Sequence, residues 1–361
     1  MLYKIGFCCL FCVSLFSVED VYLKTPSISR QDMIGTTVGI RPVRKTGVRL
    51  ESELIQNKLI IHNYGYGGSG MTLSFGASNE VLKILDNQKT SSKIVAVLGA
   101  GVVGLTTAYD LLEEGYEVHI YSDQWSPNLT SNVAAGLWTP LSSSSDMSEE
   151  KKKLHQRLLE VAEKRFLKST ANYPEFAGVK LIAYYRLMKD ISQEAFKPPS
   201  QQVVVHFDNG LIESARRTYR LGIDGKLFME DLFSKVKSKG AVLEQKHFDT
   251  LEDILNLKED VIVNCLSMGS RELFNDQELI PVRGQMIYFK PQDGIDYVLS
   301  QAVPLSPSVP DDPDNWVAIY PWSDRIILGG LNEYGEEELV ISPEAIDRII
   351  GNAEKCLSGN L

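Results

Sequence analysis

Cysteine is scarce and poorly placed for cross-linking. Of five residues, Cys8, Cys9 and Cys12 share one short N-terminal segment, leaving only Cys265 and Cys356 elsewhere. No second Cys-x-x-Cys pair accompanies Cys9 and Cys12, so neither a zinc module nor a disulfide framework is expected. The five histidines, at 62, 119, 155, 206 and 247, never fall at ligand spacing on one helix face. No metal site is expected. Positive charge is also in deficit: 37 Lys and Arg face 47 Asp and Glu, a net charge of −10. The one short basic run, Lys151-Lys152-Lys153, sits in a mixed helical pattern and reads as a solvated face. A nucleic-acid partner is thereby excluded. Beyond the N-terminus no apolar run approaches the ~18 residues of a membrane span. With 43% hydrophobic and 23% charged residues, the composition is that of a folded globular chain rather than a disordered or coiled-coil one. At ~150 residues per domain, 361 residues suggest two domains.

The N-terminus reads as a targeting signal. Lys4 precedes a 12-residue apolar run, Ile5 to Phe16, followed by Ser17 and Glu19-Asp20. Residues 1–22 fit a secretory signal peptide, without twin arginines and without an A-x-A cleavage pattern. Export to the periplasm or outside the cell is the expectation; an uncleaved anchor or a cytoplasmic protein is the alternative.

The strongest local pattern begins at Lys93. Ile94 to Leu98 is a short apolar run rich in β-formers, and it leads into Gly99-Ala100-Gly101-Val102-Val103-Gly104. Val102, Leu105, Ala108, Leu111 and Leu112 then recur on one helical side, Gly115 stops the pattern, and Val118 to Tyr121 reads as the next strand. Strand, G-x-G-x-x-G, helix and strand together form the context a dinucleotide fingerprint requires. Gly99 suits a tight turn, Gly101 a close backbone approach to pyrophosphate, and Gly104 tight packing of helix on strand. Asp123, 19 residues after Gly104, is placed for a ribose hydroxyl. The fingerprint alone does not separate FAD from NAD.

Further along, 148–166 has helical spacing, Val203–Ile212 reads as a hairpin about Asp208-Asn209-Gly210, Leu227–Lys239 is a helix stopped by Gly240, and Val261–Val263 is a buried strand. Prolines at 304, 307, 310 and 313 favour an extended loop, either a lid or a surface connection.

Four blocks resemble the D-amino-acid oxidase family. The first is the GAGVVGL turn at 99–105 with Asn132-Val133-Ala134-Ala135-Gly136-Leu137-Trp138-Thr139-Pro140. The second is Val263-Asn264-Cys265 leading through Arg271-Glu272-Leu273 and Asp276 to Pro281-Val282-Arg283-Gly284-Gln285. The third is Ile326 to Gly330. The fourth, and most specific, is Gly39-Ile40-Arg41-Pro42-Val43-Arg44, Val48 to Glu51, and His62-Asn63-Tyr64-Gly65-Tyr66-Gly67-Gly68-Ser69-Gly70-Met71-Thr72. In the family this fourth block lies near the C-terminus; here it precedes the Rossmann strand, so the order resembles a circular permutation. Asp86 to Ser92 would then be the polar joint between a helix over 69–85 and the strand at Lys93.

The resemblance implies an α/β fold: a Rossmann-like, glutathione-reductase-like FAD domain and a sheet-based substrate domain. The expected division assigns 23–150, 229–280 and 326–361 to the first and 151–228 and 281–325 to the second. It implies non-covalent FAD and a small amino-acid substrate. Arg41 would grip the substrate carboxylate, the Gly68 carbonyl would accept from the amine, and Tyr320 would line the pocket. Gly67, Gly68, Ser69, Gly70, Met71 and Thr72 would approach the flavin. Gly99, Ala100, Gly101, Val102, Val103, Gly104, Asp123, Thr130, Ser131, Ala134, Ala135 and Gly136 would hold the cofactor, Thr130 and Ser131 being equally readable as turn residues. The implied reaction is hydride transfer from substrate Cα to flavin N5, giving a 2-oxo acid and ammonia, with dioxygen reduced to hydrogen peroxide. A glycine or secondary-amine oxidase, a quinone-linked dehydrogenase and a non-catalytic flavin-binding module are the alternatives, and a homodimer is left open. Three departures from the family pattern stand out: Leu266-Ser267 replaces threonine-glycine, Ala318 stands where a tyrosine is usual, and Tyr66 replaces a histidine.

Overall fold

A computed structural model of the chain describes residues 18–90, 92–139, 147–172, 174–188, 200–302 and 315–360. The apolar run expected as an export signal and the prolines at 304, 307, 310 and 313 lie outside them. No helix among the described residues is long and apolar enough to cross a membrane, and no group of three or more His, Cys, Asp or Glu among them could hold a metal ion.

Two sheets organise the chain. The smaller has six strands in the order β10 (Val242–Gln245), β6 (Glu117–Ser122), β5 (Ile94–Leu98), β11 (Val261–Asn264), β4 (Lys58–Tyr64), β3 (Arg49–Ile55). All neighbours pair parallel except the β3–β4 hairpin at one edge. The four central strands, β6, β5, β11 and β4, are buried almost throughout because both faces are covered. Val95, Val97, Val118, Ile120, Val261 and Val263 face a core shared with α1 (Gly70–Gln88), α2 (Val102–Glu113), α3 (Glu149–Lys168) and α4 (Gly225–Ser238). The alternate residues Ile60, Ala96, Leu98, Tyr121 and Ile262 face Phe248, Leu257 and α5 (Leu251–Leu255). A short α6 (Ser270–Leu273) follows β11.

The larger sheet has ten strands. Its path is β1 (Glu19–Leu23), β8 (Gln201–Phe207), β9 (Ile212–Ile223), β7 (Val179–Leu187), β13 (Val298–Ala302), β14 (Asn315–Pro321), β15 (Ile326–Leu331), β12 (Leu279–Phe289) and β16 (Glu333–Tyr334), with β2 (Met33–Arg44) on the other side of β12. One face buries Ile287, Phe289, Val317, Ile319 and Leu328 against α7 (Pro343–Ser358). Ser342 caps α7 by accepting from the Ala345 N–H, Pro343 opens it and Gly359 closes it in the left-handed region. The opposite face turns toward the smaller sheet.

Several expected boundaries differ. β2, Ile326–Leu331 and α7, expected with the cofactor domain, belong to the larger sheet or pack on it, and α3, expected with the substrate domain, packs on the smaller one. The helix expected over 69–85 runs on to Gln88, and Lys89 caps it in the left-handed region. Asp86–Gln88 are therefore its last residues, and the joint to β5 is shorter.

Helix packing on the smaller sheet is close. A Cβ on Gly76 of α1 would stand 2.1 Å from the Leu158 carbonyl oxygen of α3. Asp110 of α2 is enclosed between these helices, accepting from Ser78 Oγ at 2.6 Å and lying 3.4 Å from Arg165. Burial pushes its carboxyl from the ordinary 3.8 up to about 6, with Ser78 and Arg165 opposing. The folded chain thus binds this proton more tightly than the unfolded chain. That contribution to stability is full below about pH 3.8 and is lost as pH rises to about 6. Asp110→Asn, which can still accept from Ser78, is expected to be more stable than wild type at pH 7.5 by on the order of 2 kcal/mol. Thermal melts should show this advantage shrinking at pH 4; a constant difference at both pH values would contradict the assignment.

Candidate active site

The two sheets meet across a cavity of 670 Å³. That lies within the ~300–1,000 Å³ of small-molecule sites. One wall is the turn after β5 with the first turn of α2. Gly99 sits at φ +99°, and a Cβ there would be 2.6 Å from the Cys265 carbonyl oxygen. A Cβ on Gly104 would be 1.9 Å from the Gly99 carbonyl oxygen. Backbone therefore meets backbone, and the α2 N-terminus is held over the end of β5. Its Gly101 N-cap offers no side chain, and Ser131 Oγ accepts from the Val102 N–H at 3.0 Å instead.

A second helix end faces the cavity. The tight 65–69 turn leads from β4 into α1, and Ser69 makes no side-chain cap bond. Neither α1 nor α2 has an acidic residue in its first turn. Two helix N-termini facing one cavity suit a pyrophosphate and an electron-rich ring carbonyl. Bare backbone at Gly68, Gly70 and Gly101 gives a flat group room to approach. These residues fit FAD.

The third wall is the larger sheet, where Arg41 projects from β2. Its Nη1 donates to Asn332 Oδ1 at 2.6 Å. No carboxylate among the described residues pairs with it. Burial pushes its pKa down, while Tyr320 and Tyr334 act the other way. Gly284 makes room for it: a Cβ there would lie 2.7–2.8 Å from the guanidinium atoms. The β2–β12 register sets Gly39 opposite Gly284 and Arg41 opposite Val282, which fixes this meeting. Arg44, three residues on, is structural by contrast. It is paired to Asp276 at 2.9 Å and Glu278 at 3.1 Å, and Tyr64 also donates to Asp276.

Most candidates converge. Arg41, Gly67, Gly68, Ser69, Gly70, Met71, Thr72, Gly101, Val102, Val103, Gly104, Thr130, Ser131, Ala134, Ala135, Gly136 and Tyr320 all line the cavity. Gly99 and Ala100 stand behind its wall, their N–H groups held by the Tyr121 carbonyl and Ser122 Oγ. Asp123 lies outside it, at the exposed end of β6 and 3.5 Å from His247. Ser267, where glycine was expected, lines the cavity at φ +57°. The left-handed conformation is thus kept, at a cost of about 1–2 kcal/mol for a residue with a Cβ. Tyr66 is buried and donates to Asn63 Oδ1 at 2.5 Å. Ala318 pairs between Ser300 and Gly329 and brings no polar group.

Sequence reasoning missed Tyr184, Arg220, Ser300, Asn332 and Tyr334, which also line the cavity. Alternation along 212–223 was the available signal for Arg220, but which face turns inward depends on pairing with β7 and β8. Among the described lining residues there is no Asp, Glu, Lys or His. Burial pushes the Cys265 thiol up to about 12, so it is not a nucleophile. The described lining is thus suited to binding and orienting and includes no carboxylate, imidazole or amine to act as a general base.

Comparison with known proteins agrees with this geometry. The FAD dependent oxidoreductase family matches residues 95–360. The chain is 26% identical over 254 residues to a D-amino-acid oxidase of Dictyostelium discoideum, covering 66% of this chain and 65% of that protein. It is 28% identical over 265 residues to the D-aspartate oxidase of Homo sapiens, covering 70% and 71%. The match thus spans about two-thirds of these relatives' lengths. Among solved structures, iminodiacetate oxidase from Chelativorans sp. BNC1 superposes with a TM-score of 0.54 at 15% identity, over 74% of this chain and 79% of that one. Glycine oxidase from Geobacillus kaustophilus gives 0.52 at 15% identity, over 72% and 76%. These last two share the fold. The chain belongs to the FAD dependent oxidoreductase family, and FAD is its cofactor.

Proposed function

We propose that the protein oxidises D-amino acids to imino acids, which water hydrolyses to 2-oxo acids and ammonia, with dioxygen reduced to hydrogen peroxide. The observation that carries this reading is Arg41, a cation withdrawn from water into the cavity with no carboxylate partner among the described residues. A guanidinium fork grips a carboxylate bidentately and fixes the direction of the neighbouring Cα–H. Asn332 holds one edge of the fork, and Gly284 leaves the space it occupies. The Gly68 carbonyl supplies the acceptor for the substrate amine. When bound, the flavin supplies the two-electron acceptor for the substrate Cα–H. No lining side chain need take a proton if the amine binds neutral. The rest of the cavity positions the substrate and excludes water, and export of the protein remains part of the proposal.

The chain order belongs to this reading as a circular permutation. Thr25 donates through its N–H to Asp208 Oδ1 at 2.8 Å, and the adjacent Asn209 donates to the Leu357 carbonyl at 2.9 Å. The segment before β2 and the end of α7 therefore meet on one turn, where a short connection would restore the family order. A chain opened between Lys89 and Lys93 and rejoined from Asn360 to Val18 by about ten flexible residues, enough for roughly 30 Å, is expected to fold and bind FAD. A rejoined chain that binds no flavin would count against the permutation.

The reaction is tested by anaerobic mixing of the FAD-loaded protein with D- and L-amino acids while flavin absorbance is followed. Bleaching by D-isomers only, with oxygen consumption on re-aeration, is expected. Bleaching by secondary amines alone, or turnover with a quinone but not oxygen, would replace the reading. Arg41→Leu should lower kcat/KM by on the order of 10³ with flavin still bound, since losing one member of a buried charge pair costs about 2–5 kcal/mol. Gly284→Ala should displace the guanidinium and raise KM about tenfold or more, an overpacking cost of ~1–3 kcal/mol.

A further inference from the structure

We propose that Arg220 is a second carboxylate-binding residue of the same cavity, so that the preferred substrate is an amino acid with an acidic side chain; this rests on the function proposed above. Arg220 projects from β9 into the cavity, and it and Arg41 are the two formally charged residues of the described lining. Its guanidinium lies over the Tyr184 ring, 3.9 Å from the centroid. That ring is pinned by a 2.6 Å hydrogen bond between Tyr184 Oη and Ser300 Oγ. Stacking uses the flat face of a guanidinium and leaves its in-plane donors for an anion. The buried Nε of Arg220 has no hydrogen-bond partner.

The charges around Arg220 strengthen the case. The groups that act on it are Tyr184, Tyr320 and the like-charged Arg186, with no carboxylate among them. Several other part-buried arginines have acids: Arg44 with Asp276, Arg217 with Glu19, Arg283 with Glu333 and Arg325 with Asp224. Tyr320, in the same cavity lining, feels the charge of both Arg41 and Arg220. A dicarboxylate bridging them would neutralise both, whereas a neutral side chain would leave Arg220 desolvated and unpaired.

The test uses the FAD-loaded protein and has two readouts. In calorimetric titration, glutarate should bind at least tenfold more tightly than butyrate. Arg220→Gln should remove that excess while leaving butyrate unchanged, and Arg220→Lys should keep part of it. In turnover, D-glutamate should exceed its neutral isostere D-glutamine by about a hundredfold in kcat/KM. Arg220→Gln should collapse the ratio, chiefly through KM for D-glutamate. An unchanged glutarate-to-butyrate ratio in Arg220→Gln would overturn the assignment, as would equal turnover of D-glutamate and D-glutamine by wild type. If no amino acid is oxidised yet glutarate binding depends on Arg220, the anion site stands and the proposed reaction falls.

Discussion

A guanidinium taken out of water without a carboxylate beside it is costly, and much of the cavity can be understood as the means of holding Arg41 in that state. The β2–β12 register places a glycine where its head group lies, and Asn332 satisfies one nitrogen at 2.6 Å with a neutral oxygen. A neutral acceptor orients the fork without neutralising it. The same strand spends its other arginine, Arg44, on a closed network with Asp276, Glu278 and Tyr64. Two arginines three residues apart thus have opposite fates: one is compensated by acids, and the other faces the cavity with a neutral oxygen as its partner.

The cofactor side of the cavity was legible because its chemistry is local. A glycine turn between a β-rich run and a helical pattern has few structural solutions, and Gly99 and Gly104 occupy positions where a Cβ would strike backbone. The Asp208–Gly210 hairpin and the helix stop at Gly240 were readable for the same reason. The substrate side was less legible because strand pairing assembles it. Ile326–Leu331 carries no mark in its own residues that it pairs with β12 and β14. Arg220, Tyr184 and Ser300 come from three strands and meet only through the order β9–β7–β13. The extra turn of α1 to Gln88 reflects a tertiary contact, since Gln88 donates to Ser52 of β3 at 3.0 Å. Propensity within 86–92 favoured a loop.

Departures from the family pattern divide along the same line. Ser267 replaces a glycine yet keeps the left-handed backbone, because the chain between β11 and α6 must still bend away from the cavity. The side chain changed and the path did not. Tyr66 in place of histidine is absorbed by a hydrogen bond to Asn63 and stays within the wall. Ala318 differs, since nothing local replaces the missing hydroxyl. Tyr320 and Tyr184 instead supply the aromatic lining from other places on the sheet.

The distribution of charge has a consequence for how a substrate arrives. The chain carries a net charge of −10, yet the described lining of its cavity contains only positive formal charge. An anion approaching from a distance meets a repulsive field that salt screens beyond about 10 Å. Inside the cavity it meets unscreened cations in a low-dielectric surround, where each interaction is worth more. Raising ionic strength therefore weakens the repulsion outside more than the attraction within. Binding of anions to this cavity should tolerate salt better than binding to an exposed basic patch, because burial keeps mobile ions from screening its cations.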